Sequence, residues 1–338
     1  MRAFTYDRAD SVEGAVRGIA GRPGSRFVAG GTNLLDLMKA DAMRPAHLID
    51  ISRLPLDRIE ETADGGLRLG ALARNADTAY DERVSRRYPM LSKAILAGAS
   101  PQLRNMATNG GNLLQRTRCY YFYDSATPCN KREPGSGCGA LVGVNRIHAI
   151  LGASEHCIAV HPSDMCVALA ALEATVRVVG PGPGPGGGPG SERTIPFAAF
   201  HRLPGDAPHI DTELRPDELI TAIDLPPKGF AEHSTYLKVR DRASYAFALV
   251  SVAAALEIAD GTVAEARLAL GGVAHKPWRD EEAEQALAGK PPTGESFRAA
   301  ARILLRRAQG YGHNDFKIDL AERAIVRALA EAAGTEAA

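Results

Sequence analysis

The sequence predicts a mixed helix and strand fold that is divided into two or three domains. The chain has 338 residues, more than one compact domain of ordinary size, and 45% of them are hydrophobic. Segments of helical periodicity are interspersed with short β-branched segments. Lysine and arginine number 40, as do aspartate and glutamate, so no net charge attracts a polyanion. Nucleic acid is therefore not an expected partner.

The first 55 residues predict a compact unit of helices and strands. A first helix is expected at residues 10–19, with a capping box formed by Asp10 and Glu13. The segments that follow are a strand at 26–29, a helix at 34–39 and a strand at 47–51.

The rest of the chain contains one long irregular segment and one run of glycine and proline. Residues 117–139 are rich in glycine, proline, cysteine and charge, which is typical of a functional loop. The run at 180–190 lacks the lysine of a phosphate-binding loop and predicts a hairpin connection between strands. A C-terminal domain is expected from about Gly229. Helices are predicted at 91–97, 165–172, 297–307 and 316–330, strands at 174–179 and 263–270, and a strand followed by a helix at 236–258.

Two glycine-bearing turns can hold an anion. Residues 29–33 and 108–112 each run through two glycines into a helix start, where backbone N–H groups and the helix dipole favour negative charge. Simple chain reversal is the commoner use of either turn alone. The first strand is not followed by G-x-G-x-x-G, which excludes a single Rossmann site. Two turns that clamp one diphosphate would need two subdomains.

All five cysteines lie between residues 119 and 166. A chain with a large core does not need disulfides, so a local metal site or buried thiols are better interpretations. The spacing matches neither zinc ribbons nor bacterial ferredoxins. Three possibilities stay open on the residues alone: a cluster with four thiolates, a zinc site that includes His156 or His161, and unligated thiols. Cys166 lies in an apolar run and is expected to pack as a small hydrophobic residue.

The segment His161-Pro162-Ser163-Asp164 precedes an apolar helix. Ser163 or Asp164 is expected to cap that helix, and one of these side chains can also reach a ligand. Lys238, by composition alone, is an ordinary solvated strand residue.

Six segments of this chain resemble one protein family. They are FVAGGTNLLDLMK, PQLRNMATNGGNLLQ, HPSDMCVALAAL, FHRLPGD, DELITAIDLP and LGGVAHKPWR. Together they resemble the FAD-binding, or medium, subunit of molybdenum hydroxylases such as xanthine, aldehyde and carbon monoxide dehydrogenases, collinearly from Phe4 to about Leu329. The cysteine loop is most similar to that of bacterial periplasmic aldehyde oxidoreductases, which holds a 4Fe-4S cluster. A related loop occurs in 4-hydroxybenzoyl-CoA reductases.

The resemblance implies an α+β fold. It consists of an FAD-binding fold of the vanillyl-alcohol oxidase or PCMH type, followed by a C-terminal α+β domain of the CO dehydrogenase flavoprotein type. The expected divisions are a first FAD-binding subdomain at 1–55, a second at 56–228 with an iron–sulfur loop at 117–158, and the C-terminal domain at 229–338.

The resemblance also implies the cofactor ligands of this chain. The expected cluster ligands are Cys119, Cys129, Cys138 and Cys157, whereas Cys166 receives no role. The residues expected to contact FAD are Ala29, Gly30, Gly31, Thr32, Asn33, Leu34, Thr108, Asn109, Gly111, Asn112, Asp164, Ile220 and Lys238.

The implied function is electron relay, with no catalytic side chain in this subunit. A large partner would carry the molybdopterin cofactor and a small partner the 2Fe-2S clusters, and FAD would deliver electrons to an external acceptor. Asn33 stands where xanthine dehydrogenases carry an acidic residue, and their NAD-reaching segment is not recognisable, so the resemblance does not predict a nicotinamide acceptor.

Three alternatives to this function are a 4-hydroxybenzoyl-CoA reductase subunit, a self-sufficient FAD oxidase and a zinc-stabilised binding module. We expect no membrane insertion and no signal peptide, because neither a run of eighteen apolar residues nor an apolar leader occurs. The compartment is the periplasm, reached by export with a partner, or the cytoplasm.

Overall fold

A three-stranded parallel sheet forms the N-terminal part of the computed structural model, which describes residues 1–182 and 189–335. Its elements are β1 (Thr5–Arg8), α1 (Val12–Ala20), β2 (Ser25–Val28), α2 (Leu34–Lys39) and β3 (His47–Asp50). The strand order is β1-β3-β2, and β3 pairs in parallel with both neighbours. All four elements predicted for this region are confirmed to within two residues at each end, and β1 is an addition.

The predicted capping box of the first helix is wrong. Helix α1 begins at Val12, so Ser11 occupies the N-cap position and its hydroxyl accepts a hydrogen bond from the Gly14 amide at 3.0 Å. A glycine at the third helical position has no side chain to return the bond, so Asp10 and Glu13 cannot form the reciprocal pair.

The middle of the chain is built on a five-stranded antiparallel sheet. Its strand order is 4-5-8-6-7 in chain numbering. Both strands that flank the glycine and proline run pair antiparallel, from Thr175 with Pro196 to Pro181 with Pro189, as the hairpin prediction requires. Residues 183–188 of that run lie outside the described residues. The strands are β4 (Ile59–Glu61), β5 (Leu67–Gly70), β6 (Thr175–Pro181), β7 (Pro189–Pro196) and β8 (Leu219–Leu225).

Helices and the cysteine loop are inserted along the chain between the strands of this sheet. The loop at 117–158 is largely irregular and contains one short helix in the described structure. All eight residues of the helix that follows it are buried. The helices are α3 (Asn75–Tyr80), α4 (Glu82–Arg87), α5 (Pro89–Ala97), α6 (Pro101–Arg104), α7 (Asn109–Leu113), α8 (Tyr120–Tyr123), α9 (Asp164–Ala171) and α10 (Phe197–Phe200).

A three-stranded antiparallel sheet and three helices end the chain. The elements are β9 (Ser234–Val239), β10 (Val250–Ala259), β11 (Thr262–Gly271), α11 (Glu281–Gln285), α12 (Gly294–Leu305) and α13 (Phe316–Ala333). The sheet order is β11-β10-β9. Among the described residues, no helix is both long enough and apolar enough to cross a membrane.

The helix predicted in the second half of residues 236–258 is wrong, because this segment is strand β10. Its side chains alternate between two cores: Ala253 and Ala255 pack into the cluster that contains α9, and Val252 and Ala254 pack into the cluster that contains α12 and α13. The sequence of a strand that is buried on both faces is a continuous run of apolar residues. Because this run is rich in alanine, its composition also suits a helix.

Candidate functional site

The two glycine-bearing turns lie against each other. The first turn joins β2 to α2, and the second begins α7, whose N-cap Thr108 accepts a hydrogen bond from the Gly111 amide at 3.3 Å. A Cβ atom on Gly30 would lie 1.9 Å from the Met106 carbonyl oxygen, just before the second turn. Only glycine permits this approach of the two backbones.

A cleft of about 1430 Å³ opens beside the two turns. Its volume exceeds the roughly 300–1,000 Å³ of ordinary small-molecule pockets and suits a dinucleotide. The first turn contributes six consecutive residues, and the second contributes its N-cap and three positions after it. The predicted contact residues that line the cleft are Ala29, Gly30, Gly31, Thr32, Asn33, Leu34, Thr108, Gly111, Asn112, Asp164 and Ile220.

Two predicted contact residues, Asn109 and Lys238, do not line the cleft. Asn109 is fully buried, and its side-chain amide donates to Thr78 at 2.8 Å and accepts from Asn75 at 3.0 Å. These hydrogen bonds of Asn109 fix the second turn on the side away from the cleft. Lys238 lies behind Asp164, with its ammonium 2.8 Å from that carboxylate and 3.1 Å from the Ala97 carbonyl oxygen.

Ser163 is the N-cap residue of α9. It is one of the two residues that the sequence predicted for this role. Its hydroxyl accepts from the Cys166 amide at 3.1 Å and donates to Asn112 at 2.5 Å, which ties α9 to the second turn. Asp164, the next residue, also accepts a hydrogen bond of 2.6 Å from the Tyr236 hydroxyl. Tyr236 was not predicted from the sequence, because a tyrosine in a strand is ordinarily a packing residue.

The cleft carries positive charge and unpaired polar atoms that fit a dinucleotide. Arg26, Arg116 and Arg118 line it, and burial, followed by the nearby Arg116 guanidinium, lowers the pKa of Arg26. Diphosphate oxygens are suitable partners for clustered arginines. In the described structure, Asn33 Nδ2 and both ring nitrogens of His161 are buried without a hydrogen-bond partner. Buried polar atoms are costly unless a partner satisfies them, which a bound cofactor in this cleft would do.

Four cysteines line a second, smaller cavity. Cys119, Cys129, Cys138 and Cys157 all border it, and none of them forms a disulfide. Cys129 and Cys138 face each other across an antiparallel bridge. Burial raises the pKa of Cys119 to about 12 and that of Cys157 to about 11, so these thiols stay protonated unless a metal replaces the proton.

The loop thiols are not drawn together as tightly as a single zinc ion would hold them. A tetrahedral zinc with bonds of about 2.3 Å holds its sulfurs about 3.8 Å apart. In the part of the chain that the structure describes, no three of the loop thiols lie within 4.8 Å of one another. His156 borders the same cavity as the thiols, and its Nε2 lies 3.6 Å from the Glu155 carboxylate and 3.7 Å from the Asp206 carboxylate.

The other histidine of the zinc hypothesis, His161, lies with Cys166 instead. Ligand atoms of His161, Cys166 and His201 are within 4.8 Å of one another, so Cys166 belongs to a separate group from the four loop cysteines. Burial raises the pKa of the Cys166 thiol to about 12, in line with a packed hydrophobic role.

Hydrogen-bond donors and a cation also approach the loop thiols. His148 Nε2 lies 3.1 Å from Cys119 Sγ, and the Ala159 amide donates to Cys157 Sγ at 3.5 Å. Burial lowers the pKa of His148 to about 4, so the ring is neutral. The Lys131 side chain, 2% exposed, borders the same cavity. Such groups stabilise the negative charge of an iron–sulfur cluster.

The cleft and the cysteine cavity share part of their walls. Thr117 and Cys119 border both spaces. A cofactor in the cleft would therefore lie next to any metal group that the four thiols could bind.

The comparisons with known proteins agree with this architecture. Residues 2–228 match the family described as FAD binding domain in molybdopterin dehydrogenase, and residues 235–332 match the CO dehydrogenase flavoprotein C-terminal domain. This chain therefore belongs to the FAD-binding medium subunits of molybdenum hydroxylases, an oxidoreductase family, and the predicted family and α+β fold are confirmed.

One similar protein is the aldehyde oxidoreductase FAD-binding subunit PaoB of Escherichia coli (strain K12). It is 53% identical over 332 residues, which cover 98% of this chain and 99% of that protein. The glyceraldehyde dehydrogenase medium chain of Sulfolobus acidocaldarius is 28% identical and covers 85% of this chain and 82% of its own length. Among solved structures, carbon monoxide dehydrogenase from Hydrogenophaga pseudoflava is similar, with a TM-score of 0.75, 27% identity and 98% coverage of both chains.

Proposed function

We propose that this chain is the FAD- and 4Fe-4S-binding electron-transfer subunit of a heterotrimeric, molybdenum-dependent aldehyde dehydrogenase. The single observation that carries the proposal is the convergence of four loop cysteines on one cavity that shares Thr117 and Cys119 with the cleft. Full-length similarity to an aldehyde oxidoreductase FAD-binding subunit supports the substrate class. A large partner would hold the molybdenum cofactor, a small partner the 2Fe-2S clusters, and an external acceptor would take the electrons.

In this proposal, the chain's residues bind and orient the cofactors. Bound FAD supplies exchange of electrons in pairs or singly, and a bound cluster exchanges single electrons. The turns at 29–34 and 108–112 would hold the diphosphate through backbone N–H groups, and arginines of the cleft would balance its charge. The Asp164 and Lys238 pair fixes charge at the base of the cleft. Cys119, Cys129, Cys138 and Cys157 would hold the cluster.

This assignment gives each proposed domain of the chain a separate role. We propose FAD-binding subdomains at 1–55 and 56–228, with the iron–sulfur loop at 117–158, and a C-terminal domain at 229–338 that closes one side of the cleft. Residues 241–249 before β10 contribute to the cleft from that domain.

A substrate comparison on the assembled complex tests the proposal. The chain is coexpressed with its two partner subunits. Reduction of an artificial acceptor is followed with aromatic aldehydes, and oxidation of a reduced artificial electron donor is followed with aromatic CoA thioesters. We expect aldehyde-dependent turnover by the complex and none by the isolated chain.

Two outcomes would contradict it. Reduction of aromatic CoA thioesters without aldehyde oxidation would indicate a 4-hydroxybenzoyl-CoA reductase subunit. Turnover by the isolated chain would indicate a self-sufficient flavoprotein oxidase.

A further inference from the structure

A partly buried ion pair lies between the cysteine cavity and the cleft, with the Lys131 side chain 2% exposed and the Asp211 side chain 29% exposed. The Lys131 ammonium, two residues after Cys129, donates to the Asp211 carboxylate and also to the Pro208 carbonyl oxygen at 2.7 Å. Its side chain is 2% exposed and borders the cavity of the four thiols. A charge this deeply buried depends on its partner, because water cannot replace it.

Asp211 joins this lysine to the start of the cysteine loop. Its second oxygen accepts a 2.7 Å hydrogen bond from Arg116 Nε. Burial works to raise the pKa of Asp211, but Lys131 and Arg116 outweigh it and hold the pKa well below its ordinary value. Asp211 is therefore a fixed negative charge between two cations.

Arg116 in turn contacts the first glycine turn. Its backbone amide donates to Asn33 Oδ1 at 3.1 Å, and Asn33 lines the cleft in the turn that precedes α2. The Arg116 guanidinium lies over the Phe122 ring, 4.7 Å from its centroid. Phe122 follows Cys119 by three residues. An unbroken series of polar contacts thus runs from the cysteine cavity to the first turn through Lys131, Asp211 and Arg116.

We propose that Lys131, Asp211 and Arg116 are positioning residues that couple the two sites, so that FAD binds more tightly when the four cysteines hold their metal cluster. The inference rests on the proposed cluster. Metal–thiolate bonds would fix Cys129 and Cys157 and with them the position of the Lys131 ammonium, whose partner Asp211 holds Arg116 against Asn33. Coupling free energies are reciprocal, so FAD also raises the affinity of the chain for the cluster by the same factor.

The test compares FAD affinity with and without iron in the assembled complex. Iron is removed anaerobically with a chelator, and the Kd for FAD is measured before and after removal by titration of flavin-free complex. We expect FAD to bind about tenfold more weakly after iron removal, within the range typical of coupled sites. The chelator concentration that removes half of this iron at equilibrium, measured with and without FAD, gives the reciprocal readout.

A double variant removes the link without leaving an unpaired charge. Lys131→Met with Asp211→Asn deletes one charge of each sign and keeps similar volumes, and we expect the two Kd values to differ by less than twofold. Arg116→Lys is the milder variant if the double variant does not fold. It keeps the charge, loses the Nε–H contact to Asp211, and should reduce the coupling at least threefold.

The matched control is Asp224→Asn. Asp224, like Asp211, is a carboxylate that accepts hydrogen bonds from two cationic side chains. Asp224 accepts from Arg68 at 2.8 Å and from Arg177 at 3.4 Å in the five-stranded sheet, and it borders neither site. This variant should keep the full tenfold coupling.

Each contrary outcome has a distinct meaning. A complex whose 2Fe-2S iron accounts for all the iron present would overturn both the cluster and the coupling. A cluster-loaded complex whose FAD affinity is unchanged on iron removal would overturn the coupling alone. Full coupling in the double variant would show that these residues are not the link.

Discussion

The Lys238 ammonium lies 2.8 Å from the Asp164 carboxylate at the base of the cleft, and both side chains are less than a tenth exposed. Asp164 also accepts a hydrogen bond from Tyr236, so α9 and β9 meet at this one carboxylate. An internal ion pair of this kind fixes local geometry as long as both partners are present.

Loss of one partner should cost more than loss of both. Asp164→Asn leaves the buried Lys238 without its counter-charge, and we expect a loss of about 3–5 kcal/mol in the free energy of unfolding, with less FAD per chain. Asp164→Asn combined with Lys238→Met should recover part of that loss. Urea unfolding and flavin content measure both effects, and a double variant less stable than either single variant would contradict this account.

Gly30 should not tolerate a methyl group. A Cβ atom there would lie 1.9 Å from the Met106 carbonyl oxygen, so the two turns must separate. We expect Gly30→Ala to lose most of its bound FAD and at least about 1–3 kcal/mol of stability. Gly21→Ala is the control in the same region, because its Cβ would meet only the Arg17 carbonyl oxygen at 3.6 Å. Equal flavin content in both variants would show that the close approach of the turns is unimportant.

Four of the five cysteines should be needed to retain the cluster iron, and the fifth should not. Replacing Cys138 with alanine removes one of the four thiols that border the small cavity, and we expect loss of the iron beyond that of the 2Fe-2S partner. Cys166→Ala should retain that iron, because Cys166 lies with His161 and His201 instead. Iron analysis of both complexes distinguishes these results. Iron loss in the Cys166 variant with retention in the Cys138 variant would refute the ligand assignment.

Two buried histidines should make the fold sensitive to mild acid. Burial lowers the pKa of His201 to about 4 and that of His275 to about 3. Unfolding returns both to about 6.5, so below that pH the unfolded chain binds more protons and stability falls as the pH falls. The two residues should together remove about 2 kcal/mol between pH 6.5 and pH 5.5.

Urea unfolding across this pH range measures the effect. His275→Asn should reduce the slope of stability against pH, whereas His209→Asn, at an exposed position, should leave it unchanged. An unchanged slope in the His275 variant would contradict the assignment of a neutral, buried ring.

Local sequence signals located the turns and the thiols but not the contacts that support them. Some features of the site depend on only a few neighbouring residues, so the sequence alone predicts them. These are the glycine pairs at 30–31 and 110–111 and the capping residue Ser163. Lys131 and Asp211 are 80 residues apart, and Tyr236 and Asp164 are 72 apart. Only the fold brings such pairs together, and no local pattern predicts them.

The error at β10 has a related cause. Alternate residues of this strand enter two different cores, so every position is apolar and the two-residue period disappears from the sequence. Asn109 shows the same limit at the site. It stands within a turn that borders the cleft, yet its side chain points to Thr78 and Asn75.

The metal, sulfide and flavin content of this subunit is the decisive test of the proposed function. The complex is purified without oxygen, and iron, acid-labile sulfide, zinc and FAD are determined per chain together with the visible spectrum. We expect about one FAD and about four iron and four sulfide beyond the 2Fe-2S centres of the small partner. FAD without this additional iron would contradict the proposed cluster, and zinc without flavin would contradict the proposed function as a whole.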